Sequence, residues 1–480
     1  MHIQSSLPVS HYSRRDLLWQ LGGGLGGIAL AHLLAADGSL SAAAPRSDGG
    51  VHHAPKARRV IQLFMNGGAS QQDTFDYKPL LEKRHGQKFD PGGGARVEAV
   101  TSTPGAVLKC PFPFKQHGQS GRWVSSVFPH LAGCVDDLAF LFGMSSKTNV
   151  HGPASYMMNT GYTLPGFPCL GAWLSYGLGR LTDNLPTFVV LPDPRGLPYN
   201  NLGNFSAGFL PAVHEGTVLR VNDANPIHAL RPPAPARHIT AESEAEGLRL
   251  LAQLNRDHAA EHPGDSRLTS RIATYEMAAQ MQRAAPEALD LNRETRAVQE
   301  LYGLHDPVTA PFARSCLTAR RLIERGVRFV QVWSGAGGPS NNWDNHSSIL
   351  TELPAIAGRV DRPIAGLLRD LKARGLLDDT LVIWCSEFGR QPFSQGSVGR
   401  DHNGGAGVAW LAGAGIRGGS TAGASDEWSW RSINPLWCYD LHATLLHLLG
   451  IDHERLGFRH NGIDRRLTDV HGHVIKTVLA

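Results

Sequence analysis

Short apolar runs rich in β-branched and aromatic residues alternate along this chain with longer stretches whose apolar positions recur at helical spacing. The runs at 58–64, 138–141, 187–191, 327–333 and 381–384 read as buried strands, because each is short and lacks a polar face. Residues 169–177, 311–324 and 361–374 read as helices, the last with Ile364, Leu367, Leu368 and Leu371 on one face. Strand and helix taking turns predict an α/β domain, with a mainly parallel central sheet sandwiched by helices. Between about 195 and 303 the strand signal fades, and polar helical stretches at 241–255 and 266–284 predict an inserted helical segment.

Composition narrows the class. The chain has 480 residues, 42% of them hydrophobic and 18% charged, which excludes global disorder and allows a core for one large domain. A net charge of +4, with no basic run interleaved with aromatics, excludes nucleic acid as the expected partner and leaves small anionic substrates open. Six cysteines without Cys-x-x-Cys spacing argue against a thiolate zinc site or a redox pair. At the N-terminus, Ser13-Arg14-Arg15-Asp16-Leu17-Leu18 precedes a Gly/Ala/Leu-rich stretch at 21–36 and the small residues Ala42, Ala43 and Ala44. This pattern predicts a twin-arginine signal peptide over 1–44, a linker at 45–57 and a folded domain from 58 to 480. The mature protein is then expected outside the cytoplasm, in the periplasm or beyond, without a transmembrane segment.

Candidate chemistry gathers at the predicted strand ends, where α/β enzymes keep their sites. Asn66 follows the first strand and precedes Gly67 and Gly68, which let backbone or ligand approach closely. His151 opens the segment His-Gly-Pro. In Trp343-Asp344-Asn345-His346, residues two apart share a side in an extended loop, so Asp344 and His346 can share one ion. Glu387 follows the buried run at 381–384, and a carboxylate there needs an arginine partner or a metal ion to offset its desolvation. Asp401 and His402 add an oxygen and a nitrogen on the loop that follows. Mixed oxygen and nitrogen donors suit one or two divalent ions, zinc or manganese. Arg390 and Arg400 flank this segment, placed either to hold an anionic ester or to pair with nearby acids. Asp73 and Asp76 read as turn and cap residues, and His442 and His447, on an amphipathic helix, as structural.

These residues fall in an order that resembles the alkaline phosphatase and sulfatase superfamily. The segments 361–368 and 375–383 resemble the helix and strand that lead there into an Asp-His-Gly metal motif, with Glu387-Phe388-Gly389 in its place here. His402 before the apolar run at 408–416 resembles the late metal histidine, and 440–450 the closing helix. His151-Gly-Pro, running to Thr160-Gly161, resembles the sulfatase signature, with His151 where the modified Cys or the phosphatase Ser/Thr stands and Ser155 where an Arg stands. With its twin-arginine leader, FMNGGASQQDTFD, WDNH and EFGR followed by GRDHN, the chain resembles the bacterial family called domain of unknown function 1501 over nearly its whole mature length.

The resemblance implies an exported metal-dependent hydrolase of phosphate or sulfate esters. Asp344, His346 and His402 would hold one ion; Asn66, His151 and Glu387 would gather round a second position, with Asp401 available to either. Because position 151 is His, three readings stay open: a ligand histidine with metal-activated water, a histidine that itself attacks, or binding without turnover. The last corresponds to an envelope protein that recognises a sulfated or phosphorylated glycan or a protein partner.

Overall fold

A computed structural model describes residues 50–480 except 98, 224–225, 227–239, 264 and 397. The twin-arginine segment lies outside the described residues. One compact unit, Asp48–Leu456 with Arg465–Ala480, carries everything discussed below. Gly457–Asp464 falls outside that unit and contains most of a short hairpin of Phe458–His460 with Ile463–Arg465.

The apolar runs build the sheet. Its strands are β1 (Arg59–Met65), β2 (Leu138–Phe142), β3 (Phe188–Leu191), β4 (Thr217–Val218), β5 (Phe329–Ser334), β6 (Thr380–Cys385), β9 (Val408–Gly413) and β10 (Thr421–Ala422). Between β6 and β9 lies a separate two-stranded sheet of β7 (Gly389–Gln395) and β8 (Gly399–Asn403). The main sheet runs β10-β2-β9-β6-β1-β5-β3-β4. β1 lies parallel between β5 and β6, with Val60 opposite Phe329 on one side and Leu381 on the other. β9 alone reverses, pairing antiparallel with β6 and β2, so the sheet is mixed but mostly parallel.

Helices cover both faces, which is why the central strands are buried and mostly apolar. The main helices are α1 (His151–Thr160), α2 (Leu170–Leu178), α3 (Ala241–Glu261), α4 (Ser266–Leu289), α5 (Arg296–Tyr302), α6 (Ala310–Glu324), α7 (Ile349–Ala373) and α8 (Cys438–Leu448), of which α3 lies outside, against α4. Ile61, Leu63 and Met65 of β1 join the core formed with α6 and α7, where Leu317, Leu322, Ile364 and Leu368 are buried. Cutting back one such Leu or Ile to Ala costs about 2–5 kcal/mol. The alternate positions face α1 through a polar contact: Gln331 donates to Gln62 Oε1 at 3.1 Å and to Asn159 Oδ1 at 2.7 Å. Through these two hydrogen bonds Gln331 ties Asn159 of α1 to the sheet, which helps set where His151 begins.

Two elements differ from expectation. The helix read at 361–374 starts at Ile349 and runs through Pro354 and Pro363 to Ala373. The segment after Glu387, read as a loop, is the β7–β8 hairpin, in which Arg390 stands opposite His402. Its strand GRQPFSQ has few β-formers, so pairing and burial, more than local propensity, hold it extended. From Gly50 onward the linker region is tied down, with Lys56 and Ala57 donating to Leu448 O.

Candidate metal centre

β1, β5 and β6 end side by side, and the chain beyond each end turns over the carboxyl edge of the sheet. After β1, Gly67 adopts φ +118°, and a Cβ on it would sit 2.7 Å from Asp344 N. Only glycine admits the Asp344 loop this closely. That loop is anchored further by Trp343, which is buried and donates its indole N–H to Ser334 Oγ at 3.1 Å. After β6, Glu387 is buried; its Oε1 accepts from Gly67 N at 2.8 Å and lies 2.7 Å from His151 Nδ1. The partner of Glu387 is therefore the histidine at the start of α1, and not Arg390 or Arg400.

Four nitrogens converge on one oxygen, Asp344 Oδ1: Arg390 Nη2 at 2.6 Å, His346 Nε2 at 2.7 Å, His402 Nε2 at 3.1 Å and His151 Nε2 at 3.2 Å. His346 Nε2 and His402 Nε2 are themselves 2.8 Å apart. Behind the rings, each Nδ1 meets an acceptor: Glu387 for His151, the Asn149 carbonyl for His402 at 2.7 Å, and Gln395 Oε1 for His346. Each Nδ1 therefore carries the proton, and in the neutral rings three Nε2 lone pairs point at one spot. Lone pairs that close repel unless a cation lies between them. One ligand atom from each of His151, Asp344, His346 and His402 lies within 4.8 Å of the others, a donor set that fits a divalent ion such as zinc.

Electrostatics point the same way. Burial raises the cost of the Asp344 carboxylate, yet contacts from His151, His346 and His402, whose Nε2 atoms donate to it when the ring is protonated, and the Arg390 charge hold it well below the usual carboxylate range. Burial pushes His151 down, but hydrogen bonds to Asp344 and Glu387 outweigh it and leave the ring above its ordinary value. His402 shifts down, through burial first and then the Arg390 and His151 charges, against the pull of Asp344. Two carboxylates against one guanidinium leave one negative charge; a proton on His151 or a metal ion can offset it.

The structure thus brings His151 into one group with Asp344, His346 and His402, the three residues assigned to one ion from sequence. Glu387 touches this group from behind His151. Asn66 is fully buried and gives its Nδ2 to the Gly335 and Ala336 carbonyls, while its Oδ1 has no partner among the described residues. Asp401 is turned away, bonded to Thr101 and Ser102 and to the backbone of His402. Arg390 spends its remaining N–H groups on the Gly67, Gly68 and Arg400 carbonyls. Arg400 lies fully buried against Asp73, at 2.5 and 2.9 Å, and against the Leu108 carbonyl. Neither guanidinium is brought to an open face.

Two aromatic neighbours line the centre, of which Tyr199 escaped the sequence reading. Tyr199 stacks on His151 with ring centroids 4.5 Å apart and 5° between planes, and its hydroxyl donates to Gly338 O at 2.8 Å. Phe388, which the resemblance sets in the place of a metal histidine, packs 4.8 Å from His151 and 4.9 Å from His402. Asn149 and Gln395, which fix two of the tautomers, were also missed. Tyr199, Asn149 and Gln395 have no local sequence signal that marks them.

No curated protein matches the chain. Among solved structures it is similar to the lipoteichoic acid synthase LtaP of Listeria monocytogenes, at 11% identity and a TM-score of 0.39 over 90% of this chain and 80% of that one. It is also similar to the alkaline phosphatase of the Antarctic bacterium TAB5, at 10% identity and a TM-score of 0.33 over 82% and 98% of the two chains. A third is the PsFucS1 sulfatase of a Pseudoalteromonas species, at 13% and 0.32 over 83% and 68%. Likenesses this remote say nothing of chemistry. A family model, by contrast, matches residues 57–479, so that nearly the whole described chain, centre included, belongs to the DUF1501 family, proteins of unknown function.

Proposed function

We propose that the protein is an exported, metal-dependent hydrolase of phosphate or sulfate esters. The observation that carries this reading is the convergence of three imidazole Nε2 atoms on Asp344 Oδ1 at the carboxyl edge of a mostly parallel sheet. His151, Asp344, His346 and His402 would hold a zinc or manganese ion, and Glu387, Asn149 and Gln395 fix the ring orientations. Arg390 pins Asp344. Tyr199 and Phe388 cover the His151 ring and keep water from that side. His346, whose side chain is 24% exposed against 7% for His402, marks the side open to substrate. When bound, a divalent ion supplies Lewis acidity toward an ester oxygen and toward water. Position 151 offers neither hydroxyl nor thiol, so water is the nucleophile this site would direct at phosphorus or sulfur.

A second reading has its own support: position 151 carries no hydroxyl or thiol nucleophile, and Arg390, held by Asp344, is not free to stabilise charge that develops in a displacement. On that reading the centre binds a sulfated or phosphorylated glycan, or a protein partner, without turnover.

Metal analysis of the purified mature protein and of His402→Ala, with a panel of phosphomonoesters, phosphodiesters and sulfate esters, tests both. Stoichiometric metal and ester turnover, both lost in His402→Ala, are expected for the hydrolase. Metal without turnover selects the binding reading. A metal-free protein whose stability and binding ignore His402→Ala would overturn both.

A further inference from the structure

Away from this centre, the C-terminal end of α3 gathers a second set of ligand-type side chains. His258 and Glu261 stand three apart on the last turn of α3 and so share a face, and His262, the C-cap residue, follows directly. One ligand atom from each lies within 4.8 Å of the other two, and all three residues are exposed. The His262 Nδ1 is 2.9 Å from the His258 carbonyl oxygen. A carbonyl only accepts, so that nitrogen carries the proton, and the Nε2 lone pair of His262 is left free. The two rings are 4.4 Å apart between centroids, close enough to share a ligand.

We propose that His258, Glu261 and His262 form a second, solvent-facing site for a divalent transition ion, separate from the buried centre. Two imidazole nitrogens and a carboxylate oxygen suit zinc, nickel or copper far better than magnesium or calcium. Bonds of about 2.0–2.2 Å place ligand atoms roughly 3–3.5 Å apart. Closing from the present spacing takes rotation of exposed side chains and no movement of the helix. Three protein ligands leave the outer positions to water, so this is a binding site that exchanges its ion freely. The ion joins residues one turn apart and so clamps the last turn of α3 against fraying.

The test uses the full mature protein without an affinity tag, titrated with Zn²⁺ alone by calorimetry, alongside His402→Ala and the double variant His258→Ala/His262→Ala. Both substituted side chains of the outer site are exposed, so its variants fold as the parent does. One ion that persists in His402→Ala and disappears in the double variant is expected, with at least tenfold weaker binding already in His258→Ala. Amide exchange across the end of α3 should slow on adding Zn²⁺ in the parent and in His402→Ala, and stay unchanged in the double variant. If the double variant takes up as many ions as the parent, the outer site is refuted. If every bound ion is lost in His402→Ala, the outer site is likewise refuted while the buried centre stands.

Discussion

Replacing Glu387 by Gln isolates what the charge behind His151 contributes. Glu387 is 1% exposed, accepts at Oε1 from Gly67 N and His151 Nδ1, and at Oε2 from Ser386 Oγ at 3.0 Å. A glutamine of the same shape keeps an acceptor for the first two and can donate to the third, so no buried group is orphaned. The hydrogen bonds become neutral and weaker, and the desolvation of a buried charge is relieved, so the change in folding stability stays within about 2 kcal/mol. Metal affinity responds more strongly. Loss of a carboxylate that supports a ligand histidine typically weakens binding by about 10–100-fold, or roughly 1.4–2.7 kcal/mol. Competition against a chromophoric zinc chelator measures the affinity directly. Melting with saturating zinc and with EDTA should show the metal-dependent stabilisation shrink by the same amount. Glu387→Ala is the contrast: it strands the Gly67 and His151 N–H groups at about 1–3 kcal/mol each, besides opening a cavity. Zinc affinity in Glu387→Gln within twofold of the parent would refute the idea that this carboxylate acts through His151.

Three further outcomes are expected. Asp73→Asn breaks the fully buried pair with Arg400 and should cost about 3–5 kcal/mol in denaturant unfolding, with much of it recovered when Arg400→Met is added. Gly399→Ala would place a Cβ 1.5 Å from the His346 carbonyl, so the His346 loop must shift; about 1–3 kcal/mol of stability and at least tenfold in zinc affinity should be lost, read by melting and chelator competition. His442 gives the pH test: it is buried, its Nε2 donates to Met158 O at 3.0 Å, its Nδ1 has no partner among the described residues, and burial pushes its pKa down to about 4 from 6.5. Between those values the unfolded chain binds the proton and the folded one does not, so stability contributed by the neutral ring is intact above pH 6.5 and falls by up to about 3 kcal/mol as pH drops towards 4. Urea unfolding at stepped pH should show this slope in the parent and a shallower one in His442→Gln.

Much of the scaffold was legible because it rests on short-range physics. A strand buried on both faces is mostly apolar, and β1, β5 and β6 announce themselves in that way, Gln62 and Gln331 being the buried polar exceptions. The Asp344 and His346 pair was legible from its spacing, and His402 from its place before an apolar strand. What spacing could not show is which side of a chain faces the centre. Asp401 and His402 are neighbours on β8, and alternation along a strand sends them to opposite faces, so only His402 reaches the site. Read as a loop, the same pair offered both.

The pairing of arginines with acids was likewise beyond the sequence. Arg390 and Arg400 had several carboxylates within reach along the chain, and the hairpin register assigned Arg390 to Asp344 and Arg400 to Asp73. His151 could equally have belonged to a second position; its place beside Asp344 is set by α1 docking on the sheet through Asn159 and Gln331. The sequence by itself determined the central strands, most of the helices and the types of ligand available, because those follow from burial and periodicity of neighbouring residues. Only the tertiary structure decided that three rings share one focus and that both arginines are already engaged, because contacts between residues far apart in the chain carry no local signature.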